Sequence, residues 1–225
     1  MEANDMKLVV VTVGFDEKLP LRGILKIGID AGDVVMLVYS KTGGEFEVKK
    51  VEKAVEAVKD VISKTGVKVV DVVVSGMNFY GDTTTVLRAL REHSANEVVA
   101  VLAGGMRLTI FEVLIALLLR HKFSNAMVRV YVMREDGLYD IALPVEAFYT
   151  PLTPRESFVL RALYEKEGMK RSKLIDIVSH ETGLSESMIY KVTKSLAKRK
   201  LVSLEDDTVK LTELGRLVYE AIRKD

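Results

Sequence analysis

The ten residues Val98-Val99-Ala100-Val101-Leu102-Ala103-Gly104-Gly105-Met106-Arg107 limit the fold more than any other part of the chain. An unbroken apolar run marks a strand covered on both faces, as in a parallel sheet, whereas a half-exposed strand alternates. The two glycines permit a tight exit and a close backbone approach, and the residues after Arg107 open a helix. A strand, glycine loop and helix start in that order turn backbone N–H groups toward the space above the strand's carboxyl end, where a phosphate is readily held. Glycine also serves simply to make a tight βα corner, so this loop alone carries a structural reading as well as a ligand-binding one.

The same rhythm runs through the first 143 residues. Lys7 to Val13 is a β-branched strand ending in Gly14-Phe15-Asp16-Glu17, and Pro20 suits the first turn of a helix reaching Ile27. Asp33 to Val38 forms a second strand, closed by Ser40-Lys41-Thr42-Gly43-Gly44. From Glu47 to Lys64, Val48, Val51, Val55, Val58 and Ile62 recur at helical spacing until Gly66. Val69 to Val74 is the third strand, with Ser75-Gly76-Met77-Asn78-Phe79-Tyr80-Gly81 as its exit loop and Asp82 or Thr83 as the cap of a helix reaching His93. The helix Leu108 to Arg120 follows the Val98 strand and is apolar nearly all round, so it needs a second cover, for which a partner subunit is the simplest source. Met127 to Arg134 and Leu138 to Leu143 flank Glu135-Asp136-Gly137, a hairpin that ends the sheet antiparallel.

Strands alternating with helices give an α/β domain with a doubly wound, mostly parallel sheet, whose ligands sit above the carboxyl ends of the strands. Three loops converge there: Gly14 to Lys18, Ser75 to Thr84, and Ala103 to Arg107. Pro144, Pro151 and Pro154 mark a stiff linker over residues 144–153, leaving 1–143 and 154–225 as separate domains.

Residues 154–225 have a different pattern. Thr153-Pro154-Arg155-Glu156 opens a helix with a cap, a first-turn proline and an early acid. A second helix from Lys170 to Glu181 is followed by Thr182-Gly183-Leu184-Ser185, with Ser185 capping a third helix to Lys200. On that third helix Ile189, Val192 and Leu196 point inward, which leaves Glu186, Ser187, Tyr190, Lys191, Lys194 and Lys198 facing out. Leu201 to Leu204 and Thr208 to Leu211 form a wing with the acidic tip Glu205-Asp206-Asp207, and a last helix from Thr212 to Lys224 offers a dimer contact. Helix, turn, basic helix, hairpin and helix make a winged helix-turn-helix, and its expected DNA contacts are Arg171, Ser185, Glu186, Ser187, Tyr190, Lys191, Lys194 and Lys198. Charge agrees: residues 1–150 carry a net −2 and residues 151–225 a net +3.

Composition removes several chemistries. The chain has no cysteine and three scattered histidines, so no disulfide, thiolate nucleophile or histidine–cysteine metal site is expected, and no cofactor. The N-terminus lacks the basic and apolar segments of a signal peptide, and the Phe111 to Leu119 run is too short to span a bilayer, so a cytoplasmic protein without membrane contact is expected. Glutamine is absent and charge abundant, a composition found in thermophiles.

With both halves read, the chain resembles the CRISPR-associated transcriptional regulators that join a CARF (CRISPR-associated Rossmann fold) sensor to a winged helix. The resemblance rests on Thr12-Val13-Gly14-Phe15, Met77-Asn78-Phe79, Gly104-Gly105-Met106-Arg107 and the winged helix beyond the prolines. It implies a Rossmann-like sheet and a homodimer that regulates genes of antiviral defence, with a cleft for a cyclic oligoadenylate, in the first instance cyclic tetra-adenylate. By position, the ligand contacts fall on Gly14, Phe15, Asp16 and Lys18, on Ser75, Gly76, Met77, Asn78, Phe79, Thr83 and Thr84, and on Gly104, Gly105, Met106 and Arg107. Within that set the amides of Gly104, Gly105 and Met106 face phosphate, Arg107 adds charge there or in an internal ion pair, and Phe15 or Phe79 stacks on adenine.

Three rivals remain. Some CARF proteins are metal-independent ring nucleases, and Ser75, Lys18 and Arg107 are the groups that chemistry would use here. A dinucleotide-binding redox regulator is disfavoured because the first loop lacks Gly-x-Gly-x-x-Gly and no acid follows the second strand for the ribose. A plain interaction module without a ligand is the last.

Overall fold

The computed structural model describes residues 6–93, 95–124, 126–136, 140–145, 151–166 and 168–222. Internal contacts divide the chain into two compact units, Met1–Val145 and Glu146–Asp225. Of the expected linker, residues 146–150 lie outside the described residues, and Pro144 ends a strand of the first unit, where it pairs with Arg129.

The first unit runs β1 (Lys7–Thr12), α1 (Lys18–Ile27), β2 (Val34–Ser40), α2 (Glu45–Ile62), a 3-10 turn (Ser63–Thr65), β3 (Lys68–Val74), α3 (Phe79–Glu92), β4 (Glu97–Leu102), α4 (Arg107–Phe123), β5 (Met127–Val132) and β6 (Ile141–Pro144). The sheet order is β3-β2-β1-β4-β5-β6. All neighbouring pairs are parallel except β5–β6. Every residue of β2 is buried, as are the residues of β1 and β4 after the first of each, which is why these segments read as continuous apolar runs. The edge strand β3 alternates instead, with Asp71 and Val73 exposed. One core cluster joins Val9, Val11, Val35, Leu37 and Val101 of the sheet to Ile24 of α1 and to Val51, Val55, Val58 and Ile62 of α2, so those two helices cover one face. Helices α3 and α4 pack on each other. The hairpin forms as expected in its antiparallel sense, but its second strand is described only from Ile141; residues 137–139 lie outside the described set.

The start of α3 differs from expectation. The cap is Asn78, not Asp82 or Thr83: Asn78 Oδ1 accepts the Gly81 N–H at 3.1 Å, and the helix begins at Phe79. Asn, Asp and Thr are all good caps, and the choice falls to the residue whose oxygen meets an otherwise unpaired first-turn N–H. Asp82 thereby becomes a first-turn residue whose carboxylate reaches back into the loop.

The second unit comprises α5 (Pro154–Tyr164), β7 (Met169–Lys170), α6 (Arg171–Thr182), α7 (Glu186–Lys198), β8 (Val202–Glu205), β9 (Thr208–Leu211) and α8 (Glu213–Ile222). Residues 223–225, the end of the expected last helix, lie outside the described residues. The two residues of β7 add an unforeseen third strand, giving an antiparallel sheet of order β7-β9-β8. Val159, Leu160 and Leu163 of α5, Leu174 and Val178 of α6, Ile189 and Leu196 of α7 and Tyr219 of α8 share one core, closing a winged helix-turn-helix. Thr153 and Glu156 form a complete capping box. Buried Glu156 also accepts from Ser195 Oγ at 3.0 Å and meets Arg199 at 3.5 Å, tying α5 to α7.

Candidate functional site

The sheet order changes direction between β1 and β4, and in doubly wound sheets the crevice outside the strand ends at that point is the ligand position. Here the two loops meet backbone to backbone. A Cβ on Gly14 would lie 2.4 Å from the Gly105 nitrogen and 2.9 Å from its Cα, so only glycine permits the contact. Gly105 itself has φ of +108°. The third loop joins the same edge: a Cβ on Gly76 would lie 3.2 Å from Met106 Sδ. All three sequence-predicted loops are therefore neighbours. An open hollow is lined by Gly14, Phe15, Asp16, Lys18, Gly104, Gly105 and Arg107, together with Arg22, Ile110 and Glu135 from the adjoining elements.

The donors at this edge are not all available. Thr12 Oγ1 accepts the N–H of Ala103 at 3.0 Å and that of Gly104 at 3.3 Å, so the Gly104 amide is spent within the fold and does not face an anion. The Gly105 and Met106 amides carry no bond among the described residues, and α4 starts behind them with no side-chain cap at Met106. Arg107 is exposed at that helix start and forms no ion pair among the described residues. Among the described residues, the two amides, the start of a 17-residue helix without a side-chain cap and the Arg107 guanidinium are donors open to an anion, in a hollow that Asp16 and Glu135 also line.

The β3–α3 loop is held by Asp82. Its carboxylate accepts from the Ser75 N–H at 2.9 Å, the Ser75 hydroxyl at 2.7 Å and the Gly76 N–H at 2.8 Å. Burial alone would raise the Asp82 pKa, but these donors and the Asn78 N–H outweigh it and hold the carboxyl below its ordinary range. Ser75 is consequently a loop-forming residue: its hydroxyl donates to Asp82 and accepts from the Met77 N–H at 3.1 Å. In the rival ring-nuclease reading Ser75 is one of the reacting groups, a use that competes with this structural duty of its hydroxyl.

Other expected contacts also have local duties. Asp16 Oδ1 accepts the Lys18 N–H at 2.7 Å at the start of α1, and Lys18 is exposed. Thr84 Oγ1 donates to the Tyr80 carbonyl at 2.7 Å. Thr83 is a correction: it is buried, with a hydroxyl that has no partner among the described residues, so it does not reach the open edge. Phe79 is half-buried and meets Tyr80 edge-on, whereas Phe15 is 61% exposed. Met77 is also exposed.

Sequence reasoning did not anticipate Glu112. Sequence alone shows only a charge interrupting an apolar helix, yet Glu112 is 0% exposed and neither carboxylate oxygen has a partner among the described residues. Burial, with the charge of Asp82 adding to it, pushes its pKa up to about 7. On the outer side of the same helix Phe111 is 58% exposed, and Leu114, Ile115 and Leu118 continue its stripe half-buried.

In the second unit α7 presents Glu186, Ser187, Tyr190, Lys191, Lys194 and Lys198 to solvent, the face expected from the periodicity. Ser185 occupies the cap position, but its hydroxyl lies 3.2 Å from Ser187 Oγ and makes no capping bond. The Arg171 N–H donates to the Asp207 carbonyl at 2.7 Å and its guanidinium lies 5.9 Å from the Tyr190 ring, so Arg171 braces the wing beside α7.

No curated protein sequence matches the chain significantly. Among solved structures, SSV1 F-93 is 30% identical over 32% of this chain and 86% of its own, with a TM-score of 0.29. Can2 from Sulfobacillus thermosulfidooxidans, solved in complex with cyclic tetra-adenylate, is 9% identical over 96% of this chain and 63% of its own, with a TM-score of 0.45. Among the described residues no helix is long and apolar enough to cross a membrane. The model of the Csa3 CRISPR-associated Rossmann-like domain matches residues 7–144, which takes in the whole sheet and all three loops. The chain belongs to the Csa3 CRISPR-associated Rossmann-like family.

Proposed function

We propose that this protein is a ligand-responsive, DNA-binding transcriptional regulator of a CRISPR-Cas system, with a cyclic oligoadenylate, cyclic tetra-adenylate first, bound by a homodimer of the N-terminal domain. The observation that carries the proposal is the β1–β4 corner: Gly14 against Gly105, unspent amides at Gly105 and Met106, and exposed Arg107 at an uncapped helix start. A small polyanion with phosphates complements that set. A ring with two-fold symmetry fits an isologous pair of such corners, and the Phe111–Leu114–Ile115–Leu118 stripe of α4 is the surface we assign to the second copy. The lysine face of α7 supplies duplex binding. Coupling follows if the ligand prefers one dimer arrangement, because that biases the spacing of two recognition helices that must meet half-sites about 34 Å apart.

The test is a gel shift of the full chain on the promoter of neighbouring CRISPR-associated genes, with and without cyclic tetra-adenylate, beside isothermal titration of the wild type and Arg107→Ala. Ligand-dependent mobility together with at least tenfold weaker binding by Arg107→Ala supports the proposal. Wild-type protein that binds no cyclic oligoadenylate refutes it. Linear products on incubation with the ring would replace sensing alone with cleavage.

A further inference from the structure

The β2–α2 corner, Ser40 to Gly44, is a fourth glycine-bearing loop at the same end of the sheet, and the family motifs leave it unused. It is fastened to the candidate site: the Thr42 hydroxyl donates to the Ser75 carbonyl, and Ser40 Oγ lies 2.7 Å from Thr42 Oγ1 and 3.3 Å from the same carbonyl. The helix leaving this corner carries Phe46 in its first turn and Lys50 one turn later, on the same side. Phe46 is 66% exposed. The Lys50 ammonium stands 4.4 Å from the centroid of Phe46 and 5.9 Å from that of Phe15, so two bare rings from distant parts of the chain flank one cation and lie at most about 10 Å apart.

One exposed phenyl ring is ordinary. Two that converge on an unpaired ammonium beside the Gly14 loop match a ligand that is flat, apolar on its faces and anionic at one end. Stacked aromatic centroids sit roughly 4.5–7 Å apart, so a single base between two rings needs about 9 Å or slightly more, which lies within that upper bound once the flexible Lys50 side chain swings from between the rings toward the phosphate. Glu45 and Glu47 occupy the first turn of α2, so the helix start itself repels an anion and the charge that serves here is Lys50, which has no ion pair among the described residues.

We infer that Phe15, Phe46 and Lys50 form a nucleotide subsite, in which one adenine of the cyclic ligand stacks between the two rings and its adjoining phosphate meets the Lys50 ammonium. This rests on the cyclic oligoadenylate reading and extends it, making the β2–α2 corner a wall of the site that selects for a base. Stacking then supplies affinity that the amide corner cannot, since amides recognise phosphate without regard to the base.

Titration of the full chain with cyclic tetra-adenylate tests it, with Phe46→Ala, Phe46→Tyr, Lys50→Ala and Arg107→Ala compared with wild type. Phe46→Ala should weaken binding about 5- to 150-fold. Phe46→Tyr should restore most of it, and Lys50→Ala should weaken binding several-fold while flattening its dependence on salt. Because both side chains are exposed, unliganded thermal melts of these variants should coincide with wild type. If wild type binds and Arg107→Ala binds poorly while Phe46→Ala and Lys50→Ala bind normally, the subsite is overturned and the sensor reading stands. Wild type that binds no cyclic oligoadenylate removes both. A change of oligomeric state in Phe46→Ala without a change in affinity assigns the ring to a contact between copies and also overturns the subsite.

Discussion

Replacing Glu112 by Gln probes a buried acid on α4 that feels the charge of Asp82, the residue holding the β3–α3 loop. The folded environment raises the carboxyl from its ordinary 4.5 to about 7, burial being the larger cause and the Asp82 charge the smaller. At 1.36 kcal/mol per pH unit this amounts to roughly 3 kcal/mol. The sign follows from proton counting. Between pH 4.5 and 7 the folded protein keeps a proton on Glu112 that the unfolded chain has released, so stability falls as pH rises through that window and levels off above it. Gln is nearly isosteric and does not titrate. The two chains share every other ionisable group, so the difference between their unfolding free energies isolates Glu112. Relative to wild type, Glu112→Gln should gain about 3 kcal/mol on going from pH 4.5 to pH 8, or on the order of 10 °C in Tm for a domain of this size. Whatever constant offset the amide introduces is common to every pH. Urea denaturation of both proteins at half-unit intervals from pH 4.5 to 8.5, at fixed ionic strength, measures the gap. Parallel profiles would show that Glu112 is solvated or paired in solution and would refute the reasoning.

Further outcomes follow from the same geometry. Gly14→Ala forces a methyl carbon into the Gly105 nitrogen at 2.4 Å; it should cost about 1–3 kcal/mol and abolish titratable ligand binding, and an unaltered melt would show that the corner relaxes freely. Glu156→Ala strips the capping box of α5 and removes the carboxylate that meets Ser195 and Arg199, for an expected loss of about 2 kcal/mol read as faster hydrogen exchange in α5 and α7. Burial opposes the Glu156 charge, but the Thr153 and Ser195 donors and Arg199 hold its pKa below the ordinary range; its stabilisation is therefore present above about pH 4.5 and lost as pH falls through the folded value, a loss that Glu156→Gln should not show. Lys191→Glu and Lys194→Glu should each weaken duplex binding about tenfold and lower the salt slope by about one, and fluorescence anisotropy across salt concentrations would expose an unchanged slope. Phe111→Asp should yield monomers by light scattering if α4 holds the second copy.

The order of elements was legible in the sequence because each depends on neighbours within a few residues. Continuous apolar runs at β1, β2 and β4 declared strands buried on both faces, the 3.6-residue recurrence of Val51, Val55, Val58 and Ile62 declared α2, and Thr153-Pro154-Arg155-Glu156 declared the capping box of α5. The lysine face of α7 was readable for the same reason. Strand adjacency is a different kind of fact. Only the packed sheet sets β4 beside β1, so that Gly14 and Gly105, about ninety residues apart, become mutual constraints. The availability of each polar group was decided there too. Thr12 consumes the Gly104 amide, Asn78 spends its oxygen on Gly81, Thr83 turns inward, and Glu112 ends with neither oxygen paired among the described residues. Side-chain periodicity is a local property of the backbone, whereas hydrogen-bond satisfaction and burial depend on which distant segments arrive alongside. The sequence therefore named the loops, and the tertiary structure selected which of their atoms remain free to meet a ligand.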